Sequence, residues 1–140
     1  MKEKKTLIQF LKYGLVGCIN TAITLGVIFL CKSLLGINEY VANILGYTAG
    51  LINSFIWNKT WVFKSKKGYR REAVKFGIGF GGCYGIQLLV VFLLNSSALG
   101  DMQWNILGVF TLSGYGVATL IGNVVYTLAN FIYNRMVTFK

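Results

Sequence analysis

Four long apolar segments alternate with shorter polar or charged ones along the chain. Each is close to the roughly 20 residues that a helix needs to cross the hydrocarbon core of a bilayer. They lie at residues 13–31, 40–57, 76–94 and 115–133. The pattern predicts an all-α integral membrane protein whose four transmembrane helices form a single membrane domain over residues 1–140. The sequence leaves three alternatives for a further apolar stretch, 105–114: an interfacial helix, a re-entrant segment or an extension of the fourth helix.

The charged residues are few and strongly asymmetric. The 140 residues include 14 Lys and Arg, 4 Asp and Glu and no His, for a net charge of +10, and 55% of all residues are hydrophobic. The bases lie before the first segment, in the loop 58–75 and after the fourth segment, with only Lys32 at the opposite ends. The positive-inside rule therefore predicts an N-in/C-in protein of the cytoplasmic (plasma) membrane, with the loop 58–75 facing anionic membrane lipids.

Side chains that carry ordinary catalysis are scarce in this sequence. There is no His, the three Cys are scattered, and all four acids (Glu3, Glu39, Glu72 and Asp101) lie outside the apolar segments. We therefore expect no enzyme activity, no catalytic residue, no metal site and no cofactor. A proton-coupled drug exporter is disfavoured for the same reason, because it needs a carboxylate within a span. The basic loop is too short for a base-reading fold, so no nucleic-acid partner is expected.

The second half of the sequence repeats part of the first. A shift of 76 residues aligns Val41–Lys64 with Val117–Lys140, with eight identities and a conserved base at Lys59 and Arg135. The repeated unit has the length of a helical hairpin, and both copies begin on the cytoplasmic side. The sequence thus predicts two hairpins built as parallel repeats about an axis along the membrane normal.

Small and amide side chains recur on single faces of the predicted helices. The second segment places Asn43, Gly46, Gly50, Asn53 and Trp57 at spacings of three and four. Such residues commonly hold membrane helices together. Taken as a group, the amides also suit an uncharged groove for the hydroxyls of a sugar, since amides both donate and accept hydrogen bonds. The residues predicted to line it are Asn20, Asn53, Asn123 and Asn130, with Trp57.

Both repeats end in aromatic residues that flank an Asn and a base. The two pairs are Asn58-Lys59 and Asn134-Arg135. An aromatic belt with snorkelling bases explains the residue types but not their repeated order. A base beside an amide at headgroup depth suits a lipid phosphate. Lys12 and Lys75, at the starts of the first and third segments, are predicted to complete a basic ring around it.

These motifs resemble the GtrA-like family over essentially the whole chain. The start FLKYGLVGCINT is similar to the family pattern F-x-[KR]-[FY]-x-x-V-G-x-x-N-T, and the endings FIWNKTWVF and FIYNRMVTF to F-x-x-N-[RK]-x-[WV]-x-F. The second ending departs from the first at Met136-Val137, so the two ends need not be equivalent. The residues carried over from the family motifs are Asn20, Asn58, Lys59, Asn134 and Arg135.

The resemblance implies translocation of a polyprenyl-phosphate-linked monosaccharide across the cytoplasmic membrane, for modification of a cell-surface polysaccharide or glycan. The implied partners are that glycolipid and the membrane glycosyltransferase that makes it. The alternative is a non-catalytic subunit that anchors or stabilises such a glycosyltransferase. Four short spans enclose little interior, so a homo-oligomer is also expected, with Gly77, Gly81 and Gly85 as one contact. Packing within the chain explains that glycine ladder equally well.

Overall fold

The computed structural model describes residues 2–97, 100–106, 108 and 110–140. These residues are mostly helical. Three of the helices run directly into a short π-helical turn, named π1 to π3 here. In chain order the elements are α1 (Lys2–Phe29), π1 (Leu30–Leu34), α2 (Glu39–Trp57), π2 (Asn58–Val62), α3 (Tyr69–Asn95), β1 (Gln103–Ile106), β2 (Phe110–Ser113), α4 (Gly114–Tyr133) and π3 (Asn134–Thr138).

Three helical stretches in the described part of the chain are long and apolar enough to cross a membrane. They are Glu3–Leu34, Tyr69–Asn95 and Gly114–Thr138. The remaining helix, α2, has 19 residues and carries Asn43 and Asn53 among its apolar side chains. These amides lower the hydropathy of the helix.

The described residues fall into two compact units. Unit 1 is Met1–Gly68 with Phe139, and unit 2 is Tyr69–Thr138 with Lys140. In unit 1, α1 packs against α2; in unit 2, α3 packs against α4. Each unit therefore contains one helical hairpin, and the hairpins correspond to the two halves related by the sequence repeat.

Glycines set the close approach of the two helices within each hairpin. In unit 1 a Cβ added at Gly46 would lie 2.8 Å from the carbonyl oxygen of Thr24 on α1. In unit 2 a Cβ at the equivalent residue, Gly122, would lie 2.7 Å from a methyl group of Val91 on α3. Since neither position has room for a side chain, both hairpins depend on the small-residue packing typical of membrane helices.

Large apolar side chains lie mostly on the outside of the helices. Small residues such as Ala42, Gly46, Ala118 and Gly122 are buried. Larger aliphatic and aromatic side chains are widely exposed, among them Leu25, Ile44, Leu89, Phe92 and Val124. This arrangement suits a lipid solvent, in which exposed hydrocarbon carries no penalty and close backbone contact stabilises the helix pairs.

Residues 103–106 and 110–113 form the two strands of a β-hairpin, which corrects the interfacial-helix and extended-helix alternatives for the stretch 105–114. Strands β1 and β2 are antiparallel, with Gln103 opposite Ser113 and Asn105 opposite Thr111. Gly108 lies between them at φ +69°, a conformation that glycine adopts without strain. The Ser113 hydroxyl then accepts from the Gly116 N–H at 3.1 Å and caps α4. Leu107 and Val109, which belong to this stretch, lie outside the described residues.

The glycine ladder of α3 faces outward in the structure. Gly77, Gly81 and Gly85 are exposed, and a Cβ added to any of them would meet nothing within 4 Å. The face of α3 that packs against α4 instead contains Gly79, where an added Cβ would collide with the ring of Tyr133. Packing of Gly77, Gly81 and Gly85 within the chain is therefore not observed among the described residues.

Candidate functional site

Both family signatures form π-helical turns, and the two turns begin at the signature Asn. π2 spans Asn58–Val62 and π3 spans Asn134–Thr138, so they begin 76 residues apart. In π2 the Phe63 N–H donates to the Asn58 carbonyl oxygen at 2.9 Å, five residues back instead of four. π-Helical turns are rare and are found frequently at functional sites. The repeated sequence motif therefore has a repeated and unusual backbone.

The two signature asparagines are anchored in the same way. Asn58 Nδ2 donates to the Ser54 carbonyl oxygen at 2.8 Å and to the Ser54 hydroxyl at 3.2 Å. Asn134 Nδ2 donates to Asn130 Oδ1 at 3.2 Å, again four residues back. Both Asn side chains are buried, at 1% and 0% exposure. In this conformation each amide donates back into its own helix.

The two bases that follow these asparagines occupy different environments. Lys59 is 2% exposed, and its Nζ donates to the carbonyl oxygen of Lys67 in the basic loop. Arg135 is exposed. A buried ammonium must be hydrogen-bonded to offset the loss of water, and the loop carbonyl contributes to that. Lys59 thus ties π2 to the loop, whereas Arg135 presents its guanidinium to the surroundings.

Lys12 and Lys75 each reach the π-helical turn of their own hairpin. The Lys12 Nζ lies 4.8 Å from the ring centroid of Trp61 in π2, within cation–π range. The Lys75 Nζ donates to the carbonyl oxygen of Val137 in π3 at 2.9 Å. Trp61 and Val137 are equivalent in the repeat. Where the second copy lacks the aromatic ring, its lysine takes a backbone carbonyl at the same position.

Three of the predicted groove amides form hydrogen bonds between the two helices of their own hairpin: Asn20 and Asn53 with each other, and Asn123 with Gln87. In unit 1, Asn53 Nδ2 donates to Asn20 Oδ1 at 2.6 Å. In unit 2, Gln87 Nε2 donates to Asn123 Oδ1 at 2.6 Å. Each hairpin therefore has one short amide–amide bridge between its helices, the kind of contact that stabilises helix pairs in membranes.

The remaining predicted groove residues lie near the π-helical turns. Asn130 is buried, and its Nδ2 donates to the Tyr126 hydroxyl at 3.2 Å while its Oδ1 accepts from Asn134. Trp57 is exposed and packs edge-on to Trp61, with ring centroids 5.9 Å apart. Asn130 therefore belongs to the support of π3, whereas Trp57 belongs to the exposed surface beside π2.

The structure adds three polar residues that the sequence interpretation did not include. Ser54 anchors Asn58, Thr138 is buried at the end of π3, and Glu72 is buried in the first turn of α3. Ser54 and Asn130 are equivalent in the repeat, and their fixed spacing from the signature Asn was a signal available in the sequence. Glu72 also had a signal, as the only acid in a strongly basic loop. Thr138 had none, since its equivalent is Val62.

A family model described as the GtrA/DPMS transmembrane domain matches residues 12–139. The protein named "Uncharacterized membrane protein YngA" of Bacillus subtilis is 35% identical over 121 residues, which cover 77% of this chain and 79% of that protein. The match to the family model begins at Lys12 and includes both π-helical signatures.

Two Listeria proteins carry a name that refers to the cell wall. The "Cell wall teichoic acid glycosylation protein GtcA" of Listeria innocua is 25% identical over 137 residues, covering 94% of this chain and 85% of that protein. Its namesake from Listeria monocytogenes is 24% identical over 132 residues, covering 91% and 82%. With a family match over nearly its full length and three apolar membrane-length helices, the chain belongs to the GtrA/DPMS transmembrane domain family and is a multi-pass protein of the plasma membrane.

Proposed function

We propose that this protein moves a polyprenyl-phosphate-linked monosaccharide across the cytoplasmic membrane for modification of a cell-surface glycan. Membership of the GtrA/DPMS family supports this proposal, as do the two relatives named for teichoic acid glycosylation. A glycosyltransferase that makes the lipid-linked sugar on the cytoplasmic side is the corresponding partner. The protein itself acts as a carrier and forms or breaks no covalent bond.

One observation carries the proposal, which is the concentration of positive charge at the end of the second hairpin. The exposed Arg135 is the second residue of the turn π3, whose Val137 carbonyl oxygen accepts a hydrogen bond from the Lys75 ammonium. A lipid phosphate is an exposed anion at headgroup depth, and Arg binds phosphate through a planar, two-pronged donor set. Arg135 with Lys75 is the pair that we assign to the phosphate. Lys12, over the ring of Trp61, is its counterpart in the first hairpin.

The proposed topology has four spans with both termini in the cytoplasm. It includes α2 as a span, because the charges before α1, between α2 and α3 and after α4 then all lie on the cytoplasmic side. The exposed apolar faces of the helices then contact lipid tails, and the polyprenyl chain moves along them. The phosphate-binding bases lie at the leaflet where the lipid-linked sugar is made.

The sugar passes the membrane along amide side chains in this proposal. Asn20, Asn53 and Asn123 each use one hydrogen bond in a bridge within their hairpin, and every amide has further donor or acceptor capacity for a hydroxyl. Asn130 and Trp57 lie at the cytoplasmic end of the same path. No acid lies within an apolar segment, so the movement runs down the gradient set by consumption of the sugar outside.

The proposal is tested with purified protein in lipid vesicles that contain a fluorescent polyprenyl-phosphate-linked hexose. A membrane-impermeant quencher reports how fast the lipid of the inner leaflet reaches the outer one. In vesicles with protein, we expect the labelled lipid of the inner leaflet to reach the outer leaflet in minutes or less. In protein-free vesicles, we expect the quencher to act only on the lipid of the outer leaflet. An equal result in the two kinds of vesicle contradicts the translocation proposal.

The second candidate function is a non-catalytic subunit that docks on a membrane glycosyltransferase or on another copy of itself. The exposed face of Gly77, Gly81 and Gly85 favours it, because small residues permit close approach of a partner helix. This function predicts no lipid exchange by the protein alone and an increase in glycosyltransferase activity or yield on co-expression. Gly81→Leu then abolishes the increase, while Gly26→Leu, an equally open position on α1, leaves it intact.

A further inference from the structure

Three polar atoms within the signature turns are buried without a hydrogen-bond partner among the described residues. They are Asn58 Oδ1, Asn134 Oδ1 and Thr138 Oγ1. Buried polar atoms are paired in the great majority of cases, so each such exception calls for a physical explanation. Two of the three belong to π3, and the third is the repeat equivalent of one of those two. Chance placement would not be expected to select equivalent atoms in both signatures.

The hydrogen-bonding capacity that remains at these atoms is that of an acceptor. The amide groups of Asn58 and Asn134 donate to Ser54 and Asn130, which fixes each Oδ1 as the unsatisfied end. The Thr138 hydroxyl can both accept and donate. A molecule that satisfies Asn134 Oδ1 must therefore supply a hydrogen, and Thr138 beside it in the same turn can bond the same molecule or its neighbouring group.

Charge considerations narrow the class of this molecule. A phosphodiester carries no hydrogen to donate and is itself an acceptor, so it does not suit a carbonyl oxygen. A metal cation would be repelled by the ammonium of Lys75, which is bound at Val137, next to Thr138. Neutral O–H donors remain, namely water and the hydroxyls of a sugar, and sugars supply several hydroxyls on adjacent carbons.

We infer that Asn134 Oδ1 and the Thr138 hydroxyl form a subsite for a hydroxyl of the lipid-linked sugar, with Asn58 Oδ1 as its counterpart in the first hairpin. The inference rests on the proposed function and adds one assignment to it: the signature asparagines recognise the sugar, while Arg135 and Lys75 hold the phosphate. Both atoms are buried here, so the hydroxyl gains access when the turn π3 opens. A π-helical turn is suited to that, since one residue of register separates it from an α-helix.

The test measures binding of two lipids to the full-length protein in nanodiscs: a polyprenyl phosphate carrying a neutral hexose, and the same polyprenyl phosphate without the sugar. The wild-type protein is expected to bind the glycosylated lipid more tightly. Thr138→Val keeps the shape and removes the hydroxyl, and we expect it to lose about three- to tenfold of that preference while binding the bare lipid normally. Thr138→Ser retains a hydroxyl group and is expected to keep the wild-type preference for the glycosylated lipid.

Thermal stability separates the subsite from a structural role of the hydroxyl. Because Thr138→Val replaces an unsatisfied polar atom by a methyl group, the melting temperature of the unliganded protein stays the same or rises. The matched control is Thr127→Val on α4, whose hydroxyl donates to the Asn123 carbonyl oxygen at 2.8 Å. We expect this variant to keep the wild-type preference.

Each other outcome contradicts a specific statement. If Thr138→Val keeps the full preference for the glycosylated lipid, the subsite is wrong while the proposed function stands. If Thr138→Val melts earlier and loses affinity for both lipids equally, the hydroxyl has a structural partner such as a buried water, and the subsite is again wrong. If the wild-type protein binds neither lipid, the proposed function fails, and the inference fails with it.

Discussion

The two hairpins end in the same backbone turn but use their signature base differently. Lys59 in the first hairpin is buried and bonded to the carbonyl of Lys67, whereas Arg135 in the second is exposed. A lysine that is desolvated and hydrogen-bonded stabilises the fold, and an exposed arginine is free to exchange its contacts with a ligand. The two copies of the repeat therefore share the π-helical turn but divide two tasks between them. Lys59 in the first copy binds the basic loop, and Arg135 in the second exposes its positive charge.

A second difference lies at the position that follows the base by two residues. Trp61 in the first hairpin lies under the ammonium of Lys12, and Val137 in the second offers only its carbonyl oxygen to Lys75. The departure from the family signature at Met136-Val137 thus has a structural consequence. It exchanges a cation–π contact for a backbone hydrogen bond and leaves the surface of π3 without the large aromatic ring.

The largest expected effect concerns what the hairpins share. Gly46→Leu and Gly122→Leu each place a side chain where the facing helix lies within van der Waals contact. We expect each to lower the free energy of unfolding by about 3 kcal/mol, the upper end of the range for overpacking. Thermal unfolding in detergent micelles measures this.

Matched controls for these substitutions are Gly26→Leu and Gly82→Leu, because neither position has an atom within 4 Å of an added Cβ. Both controls are expected to unfold like the wild type. If one of the buried-glycine variants is as stable as its control, that result contradicts the equivalence of the two helix pairs.

The next effect separates the two bases. Lys59→Met removes a buried hydrogen bond from a charged donor, and we expect a loss of about 2 kcal/mol in unfolding free energy. Arg135→Gln changes an exposed side chain and is expected to alter stability by less than about 0.5 kcal/mol. Chemical denaturation in mixed micelles compares the two. Equal losses at both positions would contradict the division of tasks between the hairpins.

The smallest effect concerns the residue that follows the first turn. Lys64 has φ 53°, in the left-handed region that non-glycine residues adopt at a cost. Lys64→Gly is expected to raise the unfolding free energy by about 1 kcal/mol by relieving that strain. Lys140→Gly, at the equivalent position of the repeat, serves as the control and is expected to change nothing measurable. A destabilised Lys64→Gly protein would mean that the Lys64 side chain stabilises the loop more than its backbone strains it.

Much of the helical framework follows from the sequence. Runs of apolar residues predict the helices, since lipid imposes a minimum length on them, and the shift by 76 residues predicts paired hairpins with Gly46 and Gly122 at equivalent places. Asn58 and Asn134, which the same alignment makes equivalent, each donate to the residue four positions earlier.

Other features depend on three-dimensional contacts that no pattern encodes. The strand β2 runs directly into α4, and the change from strand to helix occurs at Ser113, whose side chain caps α4. The burial of Lys59 depends on the position of the Lys67 carbonyl group in the basic loop, and that position is set by tertiary structure. From the sequence alone, amides such as Asn20 and Asn53 are equally compatible with a polar groove and with a hydrogen-bonded bridge between two helices. Their hydrogen bond to each other is visible only in the structure.

The central claim is that the exposed base of the second hairpin holds the lipid phosphate during translocation. The most direct measurement is the rate of lipid exchange in vesicles that contain Arg135→Gln, compared with Lys140→Gln, which removes an equal charge five residues away. We predict that Arg135→Gln slows exchange about tenfold or more, since a charged hydrogen bond to phosphate contributes roughly 1.5–3 kcal/mol, while Lys140→Gln exchanges the lipid at the wild-type rate. Equal rates for the two variants would contradict the account.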